Sequence, residues 1–351
     1  MQNQTTPPTA PLLPDLNAAR CRFSRVGWAM VLYTLIPTLI AYAIYFAVLE
    51  FAPYIVVEDW FLWVYAVAPM YIVGLPIYIA VLKGVPSEKP ESKKLGFKNL
   101  VILLLMSVAL LYAGNVIGNF LMTFVSLTTG KEIANPVEEM LSGSSFWINA
   151  LVVAVIAPIV EELIFRKLIL DRTRIWGEKT AIVFSALLFG IFHGNFYQFF
   201  YAFALGLLFA YIYIRTGRIR YTIALHMFIN GFFGVFASWV VSMLPMEFLE
   251  KLMDTEYLES VMASEEAMTE FMNSIVLNLP GLMLYGFYTF ALMFMAICGL
   301  IFFLVYRKKL FLKKAECEIP RGYICGPVYG AVGVMVAITL GIVLIALNLV
   351  A

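Results

Sequence analysis

Most of this chain is laid out in apolar stretches about as long as a helical bilayer crossing. They fall near residues 27–50, 60–82, 100–126, 146–170, 180–194, 197–215, 221–245, 277–306 and 324–350. Crossing hydrocarbon as a helix takes roughly 20 consecutive apolar residues, and all but one of the nine reach or approach that length. Composition agrees: 62% of the chain is hydrophobic and 13% charged, with a mean hydropathy of +0.88, where soluble domains are nearer half apolar and a quarter charged. The chain is therefore predicted to be all-α, a polytopic transmembrane helix bundle of about 8–9 spans. A net charge of +1 leaves no nucleic-acid footprint. The four cysteines, Cys21, Cys298, Cys317 and Cys325, show neither a disulfide framework nor zinc spacing; Cys317 and Cys325 are expected to be free thiols.

The map divides the chain into five parts. Residues 1–26 are expected to be a disordered cytoplasmic tail, since the first 19 are rich in Pro, Thr, Gln and Asn with no apolar period. Residues 27–145 hold the N-terminal transmembrane helices, 146–245 a polar-bearing core, 246–276 an outer acidic segment, and 277–351 the C-terminal helices.

Charge tests the map. Lys and Arg favour the cytoplasmic side of a membrane. Of the 24 basic residues, 22 lie in the tail, in Lys83–Lys98, Arg166–Lys179, Arg215–Arg220 and Arg307–Arg321. Only Lys131 and Lys251 fall in the alternate loops. The expected orientation is N-terminus cytoplasmic and C-terminus outside. Residues 246–276 carry eight acids, with apolar pairs such as Phe248/Leu249 and Tyr257/Leu258 recurring at near-helical spacing. That pattern suggests an amphipathic helix on the outer interface, either covering the protein's mouth or merely connecting two spans.

Once the loop acids are set aside, Glu161 and Glu162 are the only acids well inside a span; Glu50 sits at a span end. Ionisable groups in hydrocarbon are costly, rare, and usually paired or functional. On a helix Glu162 and Arg166 are four apart and can pair, while Glu161 points about 100 degrees away and needs another partner. Pro158 removes a backbone N–H just upstream and should kink the helix.

Further on, Phe189 and His193 share a helix face, as do His226 and Asn230. Each pair alone could be a packing or interhelical hydrogen-bonding group. Together, both histidines of the chain, its intramembrane acid pair and an Asn fall within 70 residues. Helix rise puts Glu161 and His226 each about 8 Å, and Asn230 about 14 Å, from the basic end, but His193 about 20 Å. A tilt, or a helix starting above the membrane, would bring them level. The segment 180–194 is short, and Gly194-Asn195 turns straight into 197–215. These two form either a full crossing pair or a tight hairpin whose tip stays in the membrane, tolerable where it is packed in protein or lines a wet cavity.

The motifs Glu161-Glu162-xxx-Arg166, Phe189-xxx-His193 and His226-xxx-Asn230 resemble the three motifs of the CAAX protease and bacteriocin-processing (CPBP, or Abi) family, which includes type II CAAX prenyl endopeptidases. The likeness covers about residues 146–245. It implies an intramembrane endopeptidase, in which Glu161 and His193 activate the attacking water and His226 and Asn230 form the oxyanion hole. Glu162, Arg166 and Phe189 would support them. The chemistry is coherent on its own terms: peptide hydrolysis needs a base for water and donors for the developing oxyanion.

Glu161, His193 and His226 also make up a zinc-hydrolase ligand set. The His-Glu-x-x-His helix is absent, however, and Asn230 has no role as a zinc ligand, so a mechanism without a cofactor is favoured. The expected partners are the lipid bilayer and a membrane-embedded or lipid-anchored peptide or protein substrate, possibly a prenylated CAAX tail, met in the cytoplasmic half of the membrane. Two other functions stay open. A non-catalytic immunity or scaffold protein would not need Glu161. An ion-coupled transporter would use intramembrane Glu and His but has no use for the Asn230 spacing.

Overall fold

The computed structural model describes residues 14–350, apart from residues 245 and 316. No strand occurs among the described residues. Eight helices are long and apolar enough to cross a membrane: α1 (Leu16–Phe51), α2 (Trp63–Leu82), α3 (Phe97–Thr129), α5 (Phe146–Trp176), α7 (Phe196–Thr216), α8 (Ile219–Ser242), α11 (Glu265–Lys309) and α12 (Val332–Val350). Between them lie the short α4 (Pro136–Ser142), α6 (Glu178–Ile191), α9 (Met246–Met253) and α10 (Thr255–Met262). The chain is a multi-pass membrane protein, with the bilayer as its surroundings.

The expected tail needs correction. Residues 1–13 lie outside the described residues, but helix begins at Leu16 rather than near residue 27. Asp15 caps it, accepting from the N–H groups of Asn17 and Ala18 at 3.0 Å. Ala19, Phe23 and Val26 make a buried stripe at helical spacing, and Phe23 meets Phe184 edge-on at 4.9 Å. Arg20, Arg22 and Arg25 interleave with that stripe and mask it in the sequence. The acidic segment differs as well. It is two short helices followed by a third piece that runs without a break into α11. Phe248 and Val261 are buried, and the rings of Phe248 and Tyr257 both approach Phe271 of α11.

The ninth apolar stretch is α6, only 14 residues long, or about 21 Å of helix. It packs antiparallel to α7. Gly194, at φ +70°, supplies the left-handed residue at which the chain reverses. Asn195 then closes the tip: its side chain donates to the His193 carbonyl and to Gln198 Oε1 at 2.9 Å, and accepts from the Gln198 N–H at 2.9 Å. Asn195 is buried, so this internal bonding is what the tip requires away from water. α7 also packs on α3, where Gly114 lies against the Tyr201 backbone and Gly118 against the carbonyls of Phe196 and Tyr197. Any side chain at those two glycines would push the helices apart.

All five basic stretches meet at one end of the bundle. Arg22 donates to the Arg172 carbonyl (3.2 Å), the Glu88 N–H to the Asp171 carbonyl (2.6 Å), and the Lys93 N–H to the Thr216 carbonyl (2.8 Å). Glu178 pairs with Arg215 and accepts the Lys313 N–H at 2.7 Å. Lys131 belongs to the opposite end, where Tyr197 at the α6–α7 tip donates to the Ile133 carbonyl at 2.7 Å. All four cysteines are free.

Candidate active site

α5 is not a regular α-helix. Two π-helical turns, Val152–Ile156 and Leu163–Leu168, bracket the segment Ala157–Glu162. π-turns widen a helix locally and recur at functional sites. Here the first one has a specific consequence. In the π pattern the N–H five residues on should bond the Val153 carbonyl, and that residue is Pro158, which has no N–H. The orphaned carbonyl is taken by Asn230 instead, whose Nδ2 donates to it at 3.0 Å. Asn230 itself sits in a third π-turn, Ile229–Val235 of α8. Pro158 thus does more than bend α5: it exposes the backbone acceptor that orients an amide from another helix.

The two glutamates divide as their helix positions dictate. Glu162 is sealed: its side chain and that of Arg166 are both 0% exposed and pair at 3.1 Å. The other carboxylate oxygen of Glu162 lies 3.0 Å from His226 Nδ1. Glu161 is 26% exposed on its side chain, with Oε2 at 3.6 Å from His226 Nε2. His226 therefore stands between the two acids, with one ring nitrogen toward each. A Glu162 held against a guanidinium is ionised and can only accept, so Nδ1 of His226 carries the proton and donates.

His193 is fixed differently. Its Nδ1 lies 2.6 Å from the Phe189 carbonyl. A carbonyl only accepts, so Nδ1 is protonated here too, and Nε2 of the neutral ring is left as a lone-pair acceptor. Among the described residues no carboxylate oxygen comes within 4.0 Å of His193. Glu161, His226 and Arg166 nonetheless lie within its electrostatic reach.

Phe189 is the hub of the group. Its ring centroid is 4.9 Å from His193, 5.8 Å from His226 and 5.0 Å from Phe165, and the Arg166 guanidinium carbon lies 4.5 Å from it. This common neighbour answers the depth mismatch expected from helix rise, since His193 and His226 touch one ring. The guanidinium also lies 5.7 Å from the Phe209 ring. A desolvated cation between two aromatic faces gains cation–π attraction, which matters because Arg166 Nη1 and Nη2 are buried with no hydrogen-bond partner among the described residues. Phe209 gives no signal in the sequence, being one aromatic among many in an apolar run.

The predicted residues Glu161, Glu162, Arg166, Phe189, His193, His226 and Asn230 thus come from α5, the α6 end and α8, and collect around one ring and one acid. Their exposure sorts them. Glu161, His193 and Asn230 are partly open, whereas Glu162, Arg166 and Phe189 are buried, as is His226, with its Nε2 toward Glu161. No three His, Cys, Asp or Glu side chains among the described residues are grouped as metal ligands.

Residues 143–232 match the family described as type II CAAX prenyl endopeptidase Rce1-like. The segment is the one that carries all three motifs. Two curated proteins are similar over a stretch of about that length. Over 86 residues the chain is 37% identical to a putative membrane peptidase, YdiL, of Bacillus subtilis (strain 168), covering 23% of this chain and 34% of that protein. Over 91 residues it is 33% identical to the membrane-embedded CAAX protease MroQ of Staphylococcus aureus (strain USA300), covering 24% of this chain and 37% of that one. The match spans about a third of the length of these relatives. No solved structure matches. The likeness is to membrane peptidases, and it supports a peptidase here.

Proposed function

We propose that the protein is an intramembrane endopeptidase acting on a membrane-associated peptide or protein, and that Glu161, His193, His226 and Asn230 carry the reaction. The observation behind this reading is the unlike fixing of the two imidazoles. His193 gives its Nδ1 proton to a backbone carbonyl and keeps a basic Nε2. His226 donates its Nδ1–H to the Glu162 carboxylate, which turns its Nε2 toward Glu161, where in the proposed reaction it carries a proton for the oxyanion.

Glu161, with His193, takes a proton from water as the oxygen attacks the scissile carbonyl carbon. The oxyanion that forms accepts from the His226 Nε2–H and from the Asn230 N–H not committed to Val153. The proton taken up by Glu161 passes to the amide nitrogen as the C–N bond breaks, leaving a carboxylic acid and an amine, which then exchange a proton to give carboxylate and ammonium. Glu162, Arg166 and Phe189 hold His226 and the end of α6 in place.

The name of the Staphylococcus aureus relative and the description of the matching family favour a CAAX-type substrate. The gathering of basic stretches at one end favours an N-terminus in the cytoplasm and a site in the cytoplasmic half of the bilayer. A zinc form would use Glu161, His193 and His226, and leaves Asn230 idle, so the metal-free form is preferred. Cleavage by purified, metal-stripped protein in the presence of chelator is expected; recovery with zinc alone would overturn that preference.

The test of the whole reading is mass spectrometry of membranes from cells carrying wild-type protein or Glu161→Gln. A peptide terminus that vanishes with Glu161→Gln is expected and names the substrate. An unchanged set of termini sinks the peptidase and leaves the immunity, scaffold or transport readings.

A further inference from the structure

Three tyrosines on the first two helices lie near one another: Tyr33 on α1, and Tyr71 and Tyr78 on α2. Helices α1 and α2 precede the segment that matches the peptidase family, yet they pack beside it. Tyr33 and Tyr78 belong to the same buried cluster as Val160 and Phe189, and Tyr71, Ile156 and Phe192 pack against that cluster. Tyr33 and Tyr78 meet edge-on at 5.9 Å. Gly74, one α2 turn beyond Tyr71, brings α2 close to α1: a Cβ there would lie 3.1 Å from the Tyr33 ring.

The three phenols have different fates. The Tyr78 hydroxyl is sealed and without a partner. The hydroxyls of Tyr33 and Tyr71 also have no hydrogen-bond partner among the described residues but are not among the fully enclosed polar atoms, although Tyr33 as a residue is buried and Tyr71 half-buried. Both lie within electrostatic reach of Glu161. A phenol in an apolar wall seeks a partner for its O–H. Two of them in the cluster that flanks the acid, with no protein partner among the described residues, are placed to serve a bound substrate.

We propose that Tyr33 and Tyr71 bind the main chain of the substrate, donating to carbonyl groups of an extended peptide segment beside Glu161, so that α1 and α2 form one wall of the cleft. The inference rests on the endopeptidase reading above and adds to it a class of ligand contact and two residues outside the matched segment. A peptide backbone in a poorly hydrated cleft needs donors for its carbonyls, and neither motif-bearing helix pair supplies these phenols.

The experiment extends the membrane comparison to Tyr33→Phe, Tyr71→Phe, their combination and Tyr78→Phe. Each change removes one oxygen and keeps the ring. The terminus lost in Glu161→Gln should fall in yield in the Tyr33→Phe and Tyr71→Phe cells and stay unchanged with Tyr78→Phe. With that peptide and purified protein in lipid discs, the double variant should raise KM about tenfold while changing kcat less than threefold, the pattern of lost uniform binding. Unaltered KM in the double variant, or an equal effect from Tyr78→Phe, overturns the assignment while leaving the peptidase intact. A membrane set with no Glu161-dependent terminus overturns both.

Discussion

Arg166 and Glu162 are a buried ion pair with a third member, His226, attached to the free side of the carboxylate. Pairs of this kind add little net stability, but removing one partner strands the other charge in an apolar setting at a cost of about 3–5 kcal/mol. Arg166→Met is therefore expected to lower the unfolding midpoint of the detergent-solubilised protein in a denaturant titration by that order, well beyond a typical core substitution. Glu162 and Arg166 are the most legible part of the site, whereas the attachment of His226 to Glu162 is not legible in the sequence. A charge in an apolar run stands out because it is expensive there, and the i, i+4 spacing identifies its partner. Tyr33 and Tyr71 had no such contrast, since Tyr is common in apolar helices. The role proposed for them depends on how their hydroxyls are packed, which only the fold decides.

At the scale of the element, α5 is organised by the Pro158 gap and the Asn230 bond that fills it. Pro158→Ala restores an N–H able to reach the Val153 carbonyl, in competition with Asn230. The variant should be at least as stable as wild type, since a helix-interior proline is removed. It should also be less active, with kcat down about tenfold or more as the oxyanion donor loses its anchor; a lost donor costs about 10²–10³. Thermal melts and rates on one preparation check the opposite signs. Asn230→Ala should show the rate loss without the gain in stability. Pro158 was visible in the sequence as a kink, but the π register that selects Val153 was not. That register depends on how α5 meets α8, a contact between residues 77 apart. Helix α1 shows the reverse failure: its first turns are helical because a buried stripe lies beneath three arginines.

For the molecule as a whole, the apolar map held up well: eight of the nine stretches are helices long enough to cross, and the ninth is the short arm of a hairpin. Length and hydropathy set these, with little help needed from tertiary packing. The sidedness proposed from charge is open to labelling. With the native cysteines replaced by Ser, Lys94→Cys should react with a membrane-impermeant maleimide only after cells are opened, and Glu256→Cys in intact cells. The opposite pattern would invert the protein and move the site to the outer half of the bilayer.

The sealed guanidinium of Arg166 has one more effect. Arginine stays cationic across the whole physiological range, and no water reaches this one to screen it. The cation that anchors the carboxylate beside His226 is therefore present throughout that range. The open acid and the two imidazoles thus work against a positive background field whose sign stays constant.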